Sequence, residues 1–194
     1  MSIHYIMEEL VEQTITKHTF THELKQVREF YKCTFEQCDF QNAELVDLIF
    51  TNCEFESCNL SNVSLKGTQL DHVVFNDCKM LGVHFNECSS FSFHVKFNNS
   101  VLDYSSFFER NMKRFQFEQC SLQYVDFERA NLQLAVFKHA NLLNARFVQC
   151  NLEGCDFRYS INIHLDPEVN RMKKSKFGQE QLPGLLLKYQ LDIG

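Results

Sequence analysis

From Cys120 to Phe157 the chain repeats in fives. Phe or Leu stands at 122, 127, 132, 137, 142, 147, 152 and 157, and a small residue stands two places before each, as Cys120, Val125, Ala130, Ala135, Ala140, Ala145, Cys150 and Cys155. A period of five is neither the 3.6 of an amphipathic helix nor the 2 of a half-buried strand. It predicts a repeat architecture. The same register steps through 30 to 85 and again through 97 to 157. Its centres are Phe at fourteen places, Leu at nine and Met at two, Met80 and Met112, with no polar residue among them, so the position is expected to be buried. Between Phe85 and Phe97 the step is twelve instead of ten, which puts two extra residues within Ser89–Lys96.

The nine cysteines (Cys33, Cys38, Cys53, Cys58, Cys78, Cys88, Cys120, Cys150 and Cys155) all keep the small-residue register, Cys88 on the extension of the first run. Metal-binding cysteines come in close C-x2-C pairs, and a disulfide scaffold does not confine its cysteines to one repeat position. These are therefore read as small buried hydrophobes filling a tight core.

The units Ala130-Asn131-Leu132, Ala140-Asn141-Leu142 and Cys155-Asp156-Phe157 resemble those of the pentapeptide-repeat proteins. The resemblance implies an all-β solenoid, a right-handed quadrilateral parallel β-helix with four units to a coil and a short C-terminal helix. The alternation of Phe with Leu or Met from 97 to 157 agrees with an even number of walls. Coils of such a helix stack at the inter-strand spacing of about 4.8 Å, each stabilised by its neighbours, and the two ends need caps.

Three regions are expected. Residues 1–19 form an N-terminal cap, with Ile3, Ile6, Met7, Leu10 and Val11 at helical spacing. Residues 20–159 form the β-helix, with an imperfect first coil near Phe20 and a bulge at 89–96 that carries Phe91, Phe93, His94 and Lys96. Residues 160–194 form a C-terminal cap and dimerisation segment. There, Asp166-Pro167-Glu168 has the composition of a helix start. Leu182, Leu185, Leu186 and Tyr189 follow the spacing of an amphipathic helix that begins near Gln179. Leu134, Leu143 and Val148 are the outward apolar residues expected to receive it. The tail from Leu165 resembles the C-terminal module of the Qnr-type, quinolone-resistance branch of the family, which implies a symmetric homodimer through that helix.

The formal charge is −6. Residues 30–87 hold nine Asp and Glu against three Lys and Arg, while 97–157 is close to neutral. Direct nucleic-acid binding through a basic patch is disfavoured; an acidic surface suits a basic partner. The acidic candidates are Glu36, Asp39, Glu54, Glu56, Asp77, Glu109, Asp126 and Glu128. With 6 Gly, 2 Pro and no Trp, a loop-rich enzyme is not expected. The eight His are scattered, and His18 and His22 have no third ligand in the sequence, so no metal, cofactor or catalytic residue is assigned. No apolar run is long enough to cross a membrane. The N-terminus lacks a signal-peptide pattern, and free thiols suit the cytoplasm.

The Qnr-type resemblance implies a DNA mimic that binds DNA gyrase or topoisomerase IV and protects it from quinolones or inhibits it. Quinolone-protecting relatives carry long projecting loops, whereas this chain has only its two-residue excess. About six coils span roughly 30 Å, so a dimer spans about 60 Å, or some 18 base pairs at about 3.4 Å each. The alternative is a dimeric interaction scaffold with another partner, for which Tyr104, Tyr124 and Phe108 are the exposed aromatic candidates.

Overall fold

The computed structural model describes residues 9–20 and 27–192. The chain divides into two compact units at Lys96/Phe97, where the repeat register slips. Both are built from parallel strands that pair with the strand one turn away.

In the first unit, β1 (Glu9–Val11), β3 (Glu29–Tyr31), β5 (Ile49–Thr51) and the first half of β7 (Gln69–Asn76) form one wall. The other paired wall comprises β2 (Thr14–Thr16), β4 (Thr34–Glu36), β6 (Glu54–Glu56) and the second half of β7. Each of these pairings joins residues twenty apart, Phe30 to Phe50 and Phe35 to Phe55 for example. Four five-residue steps therefore close one coil, and the predicted parallel β-solenoid is the fold. The remaining two walls are held by single parallel bridges such as Asp39 to Asn59 and Glu44 to Ser64. β8 (Phe93–Asn98) begins in this unit.

In the second unit, β9 (Gln116–Glu118) pairs with β10 (Val136–Lys138). Single bridges continue the same twenty-residue step from Val101–Ser121 to Asp156–Lys176. A coil is thus still forming at Arg171 and Lys176, beyond the expected end of the repeats at 159.

The centres point inward. The largest of the wholly enclosed side chains are Phe at centre positions, Phe30, Phe55, Phe97 and Phe137 among them. Phe97, Phe117, Phe137, Phe157 and Phe177 stack face to face at 4.9–5.9 Å. Phe107, Phe127 and Phe147 make a second column, meeting the first edge-on. The Phe/Leu alternation places these two aromatic columns on opposite walls. Small residues fill what the rings leave. Cys53, for instance, donates its thiol to Phe30 O at 3.3 Å, and Cys120 does the same to Phe97 O at 3.4 Å. All nine cysteines are buried and free.

Each coil turns its corners two residues after a centre, where the backbone enters the left-handed region; Lys32, Asn52, His72, Tyr104 and Tyr124 all have φ of 52–63°. Side chains bearing Cβ pay a conformational penalty there. It is offset because the corner N–H reaches the next coil, as in Lys32 N to Thr51 O at 2.9 Å and Tyr104 N to Gln123 O at 2.9 Å.

Two terminal expectations need correction. The segment expected to be an N-terminal cap is already strand at 9–11 and 14–16, twenty residues ahead of β3 and β4, with Leu10 and Ile15 at centre positions. Helical spacing lost there to inter-coil hydrogen bonding. Ile3, Ile6 and Met7 lie outside the described residues, as does all but Val27 of the bulge expected at Leu24–Val27. At the other end, Asp166-Pro167-Glu168 starts a turn rather than a helix: Asp166 Oδ1 accepts from Glu168 N at 2.9 Å. Among the described residues the one α-helix, α1 (Pro183–Leu186), is flanked by 3-10 turns at Gln179–Gln181 and Leu187–Tyr189. Among the described residues, no helix is long and apolar enough to cross a membrane.

Candidate functional site

The acidic residues separate into two groups with different surroundings. In the first unit Glu36 and Glu56 are strand partners, one directly over the other on the wall of β4 and β6, and Glu54 shares that face two residues from Glu56. Their hydrogen-bond partners are uncharged: Thr16 Oγ1 donates to Glu36 at 3.5 Å, and Asn76 Nδ2 donates to Glu56 at 2.6 Å. Asp39 lies on the adjoining wall and accepts from Gln41 N and Asn59 Nδ2 at 3.0 and 3.1 Å. Asp77 stands at a corner, with φ of 54°. Among the described residues, Glu36, Asp39, Glu54 and Glu56 make no ion pair. This wall is a strip of uncompensated negative charge.

In the second unit the carboxylates are matched. Arg129 Nη1 is 2.9 Å from Glu109, and Arg146 reaches both Asp126 and Glu128 from the neighbouring coil. Lys138 pairs with Glu118 in the same way. The partners are again twenty residues apart (109 and 129, 126 and 146, 118 and 138), so coil stacking neutralises a wall that reads as acidic in one dimension. Beside it the rings of Tyr104 and Tyr124 stack at 4.9 Å, 62% and 47% exposed. Phe108 is half-buried under the Arg129 guanidinium.

The C-terminal turns dock on Ile163–Asp166. Gln181, buried, donates to Ser160 O at 3.0 Å. Gly184 lies so close that a Cβ there would stand 1.8 Å from Ile163 O, so no other residue fits without moving the helix. Lys188 is held between Asp166 and Glu168, each at 2.7 Å; hydrogen bonding to Lys188 keeps both carboxyls below their ordinary values. The seat is therefore not Leu134, Leu143 and Val148. Leu134 abuts Gly154 of the adjacent coil, its methyl 2.7 Å from where a Cβ would lie. Of the four residues expected at a dimer contact, Leu182 and Tyr189 are exposed, and Leu185 and Leu186 are half-buried.

At the register slip, Phe91 is 89% exposed and Phe93 packs edge-on against Phe85 at 6.2 Å. Lys96 is exposed. His94 does what its neighbours do not. Its Nδ1 lies 2.8 Å from Asp71 Oδ1, and His72 Nδ1 lies 2.9 Å from the same oxygen. The hydrogen bond from His94 is the main cause holding the Asp71 carboxyl below its ordinary value, against some desolvation. Sequence reasoning missed Asp71 and His72, because their link to His94 crosses the irregular step at the slip, 23 residues from Asp71 and 22 from His72 instead of the regular twenty.

Family models for the pentapeptide repeat region and for pentapeptide repeats match residues 28–107 and 120–158. The chain belongs to the pentapeptide-repeat family. Among solved structures it is similar to a trypsin-treated variant of QnrB1, described as a plasmid-mediated fluoroquinolone resistance protein, with a TM-score of 0.62 and 18% identity over 96% of this chain and 97% of that one. HetL, a pentapeptide-repeat protein involved in heterocyst differentiation regulation in the cyanobacterium Nostoc, matches at a TM-score of 0.39 and 16% identity, over 86% and 81% of the two chains. At these identities the likeness is one of fold. No curated protein matches the sequence.

Proposed function

We propose that this protein is a non-enzymatic DNA mimic that binds a type II topoisomerase, DNA gyrase or topoisomerase IV, and changes its activity or its sensitivity to fluoroquinolones. The observation that carries this reading is the unpaired strip of Glu36, Glu54 and Glu56, with Asp39 around the corner. Carboxylates recur there at the coil spacing of about 4.8 Å, against one phosphate per about 3.4 Å of helix axis on each DNA strand. A basic groove that grips duplex DNA would meet a comparable array already fixed in place. Rigid strands spare such a surface much of the ordering cost of binding. The fold shared with QnrB1, itself described as a fluoroquinolone resistance protein, agrees with this reading. A homodimer through the exposed Leu182 and Tyr189 would double the acidic surface.

A supercoiling assay with purified gyrase, with and without ciprofloxacin, tests the proposal. Micromolar protein is expected to inhibit the enzyme or to relieve the drug. Unchanged activity and unchanged drug sensitivity would refute it. The second reading, a scaffold for a different partner, is favoured by the stacked, exposed Tyr104–Tyr124 pair. A pull-down that recovers another protein without gyrase, and that Tyr104→Ala abolishes, would support it.

A further inference from the structure

The two extra residues between Phe85 and Phe97 have a chemical consequence as well as a structural one. Across every other described strand pair the coil step is twenty, which would set Ser92 beside His72. The insertion breaks that step: Leu70 N bonds Ser92 O at 3.2 Å, whereas a regular centre bonds the carbonyl nineteen residues on, as Leu45 N does Ser64 O at 2.9 Å. Position 94 then lies next to position 72 on the neighbouring turn, and two histidines meet. Their rings stack at 5.2 Å between centroids, inclined by 29°. Both Nδ1 atoms converge on one oxygen of Asp71. The His72 and His94 side chains are 68% and 66% exposed, and that of Asp71 is 32% exposed.

From this arrangement we propose that Asp71, His72 and His94 form a binding site for a divalent transition-metal ion of the zinc, cobalt or nickel class. Three donors on three side chains have ligand atoms within 4.8 Å of one another. Bonds of about 2.0–2.2 Å around a tetrahedral ion would space the donors by about 3.3–3.5 Å, so exposed imidazoles need only small side-chain rotations to close on it. An ion bound at Nδ1 of each neutral imidazole leaves that ring's proton on Nε2, facing solvent. Two imidazoles and one carboxylate suit zinc and its neighbours, whereas calcium and magnesium prefer sites built wholly of oxygen. The solvent-facing side leaves a fourth position for water. Because His94 lies on a different turn from Asp71 and His72, the ion would tie two turns together at the place where the repeat is irregular.

The test is a titration of the full chain with zinc chloride by calorimetry, and with cobalt(II) by visible absorption. The expected result is one equivalent of each metal. The cobalt spectrum should show weak d–d bands without the intense thiolate charge-transfer absorption of a cysteine site. His94→Ala and Asp71→Ala should each weaken binding by at least about tenfold, while His139→Ala, in the other unit, should leave it unchanged. Excess magnesium should not compete. Binding of less than one equivalent, equal affinity in His94→Ala, or a thiolate band in the cobalt spectrum would overturn the assignment.

Discussion

Replacing Phe127 by Ala probes the packing on which the solenoid rests. Phe127 is wholly buried and touches four other rings. It stacks on Phe107 at 5.4 Å and Phe147 at 5.0 Å, and meets Phe117 and Phe137 edge-on at 6.0 Å each. Emptying a buried Phe costs about 3–5 kcal/mol, and each well-formed aromatic pair adds about 0.5–1.5 kcal/mol beyond its buried area. Parallel backbone hydrogen bonds on the neighbouring turns, such as Phe127 N to Arg146 O at 3.0 Å, oppose collapse of the hole. The loss should therefore fall at the upper end, about 5 kcal/mol. For a chain of this size about 2–4 °C of melting temperature accompany each kcal/mol, so thermal unfolding followed by circular dichroism should begin about 10–20 °C lower. Phe91→Ala, at the most exposed aromatic, is the control and should stay within about 0.5 kcal/mol of the parent. Equal melting temperatures for Phe127→Ala and the parent would refute the inward register.

Other expectations follow from the same geometry. Burial pushes the thiols of Cys53, Cys120 and Cys150 up to about 11 and that of Cys155 to about 12. The folded protein thus holds these protons more tightly than the unfolded chain. Stability should be full below the unfolded thiol value of about 8.5 and should fall as pH rises from there towards 11–12; a melting temperature that does not drop between pH 9 and 11 would contradict this. Gly184→Ala should undock the C-terminal turns, exposing the chain after Gln181 to protease while leaving the β-rich circular dichroism spectrum unchanged; parental protease resistance would argue against the close contact with Ile163. Leu185→Arg should give monomers in sedimentation if the C-terminal turns join two copies, and a persistent dimer would move the interface elsewhere.

The five-residue period made most of the fold legible, because a position that is always Phe, Leu or Met leaves little choice of which way it faces. Even the corner residues follow from that register. What remained hidden lies in relations between coils. Glu109, Asp126 and Glu128 read as an acidic wall until Arg129 and Arg146 are set beside them twenty residues on. Asp71, His72 and His94 are unconnected until the two-residue slip is counted into the stacking. The ends were harder for another reason. Leu10 and Val11 fit a helix as well as a strand, and only pairing with Phe30 and Tyr31 decides between them. Asp166-Pro167-Glu168 has the composition of a helix start, yet the same Asp side chain closes a turn equally well.

The central functional claim is that the unpaired carboxylates of the first unit occupy the place of DNA on a topoisomerase. Equilibrium binding of the purified protein to gyrase, measured with and without a short linear duplex, tests it most directly. The account predicts micromolar or tighter binding that duplex DNA displaces, and that Glu36→Lys combined with Glu56→Lys abolishes while Glu109→Lys leaves it largely intact. Absence of binding, or a complex that takes up duplex DNA without releasing the protein, would contradict it.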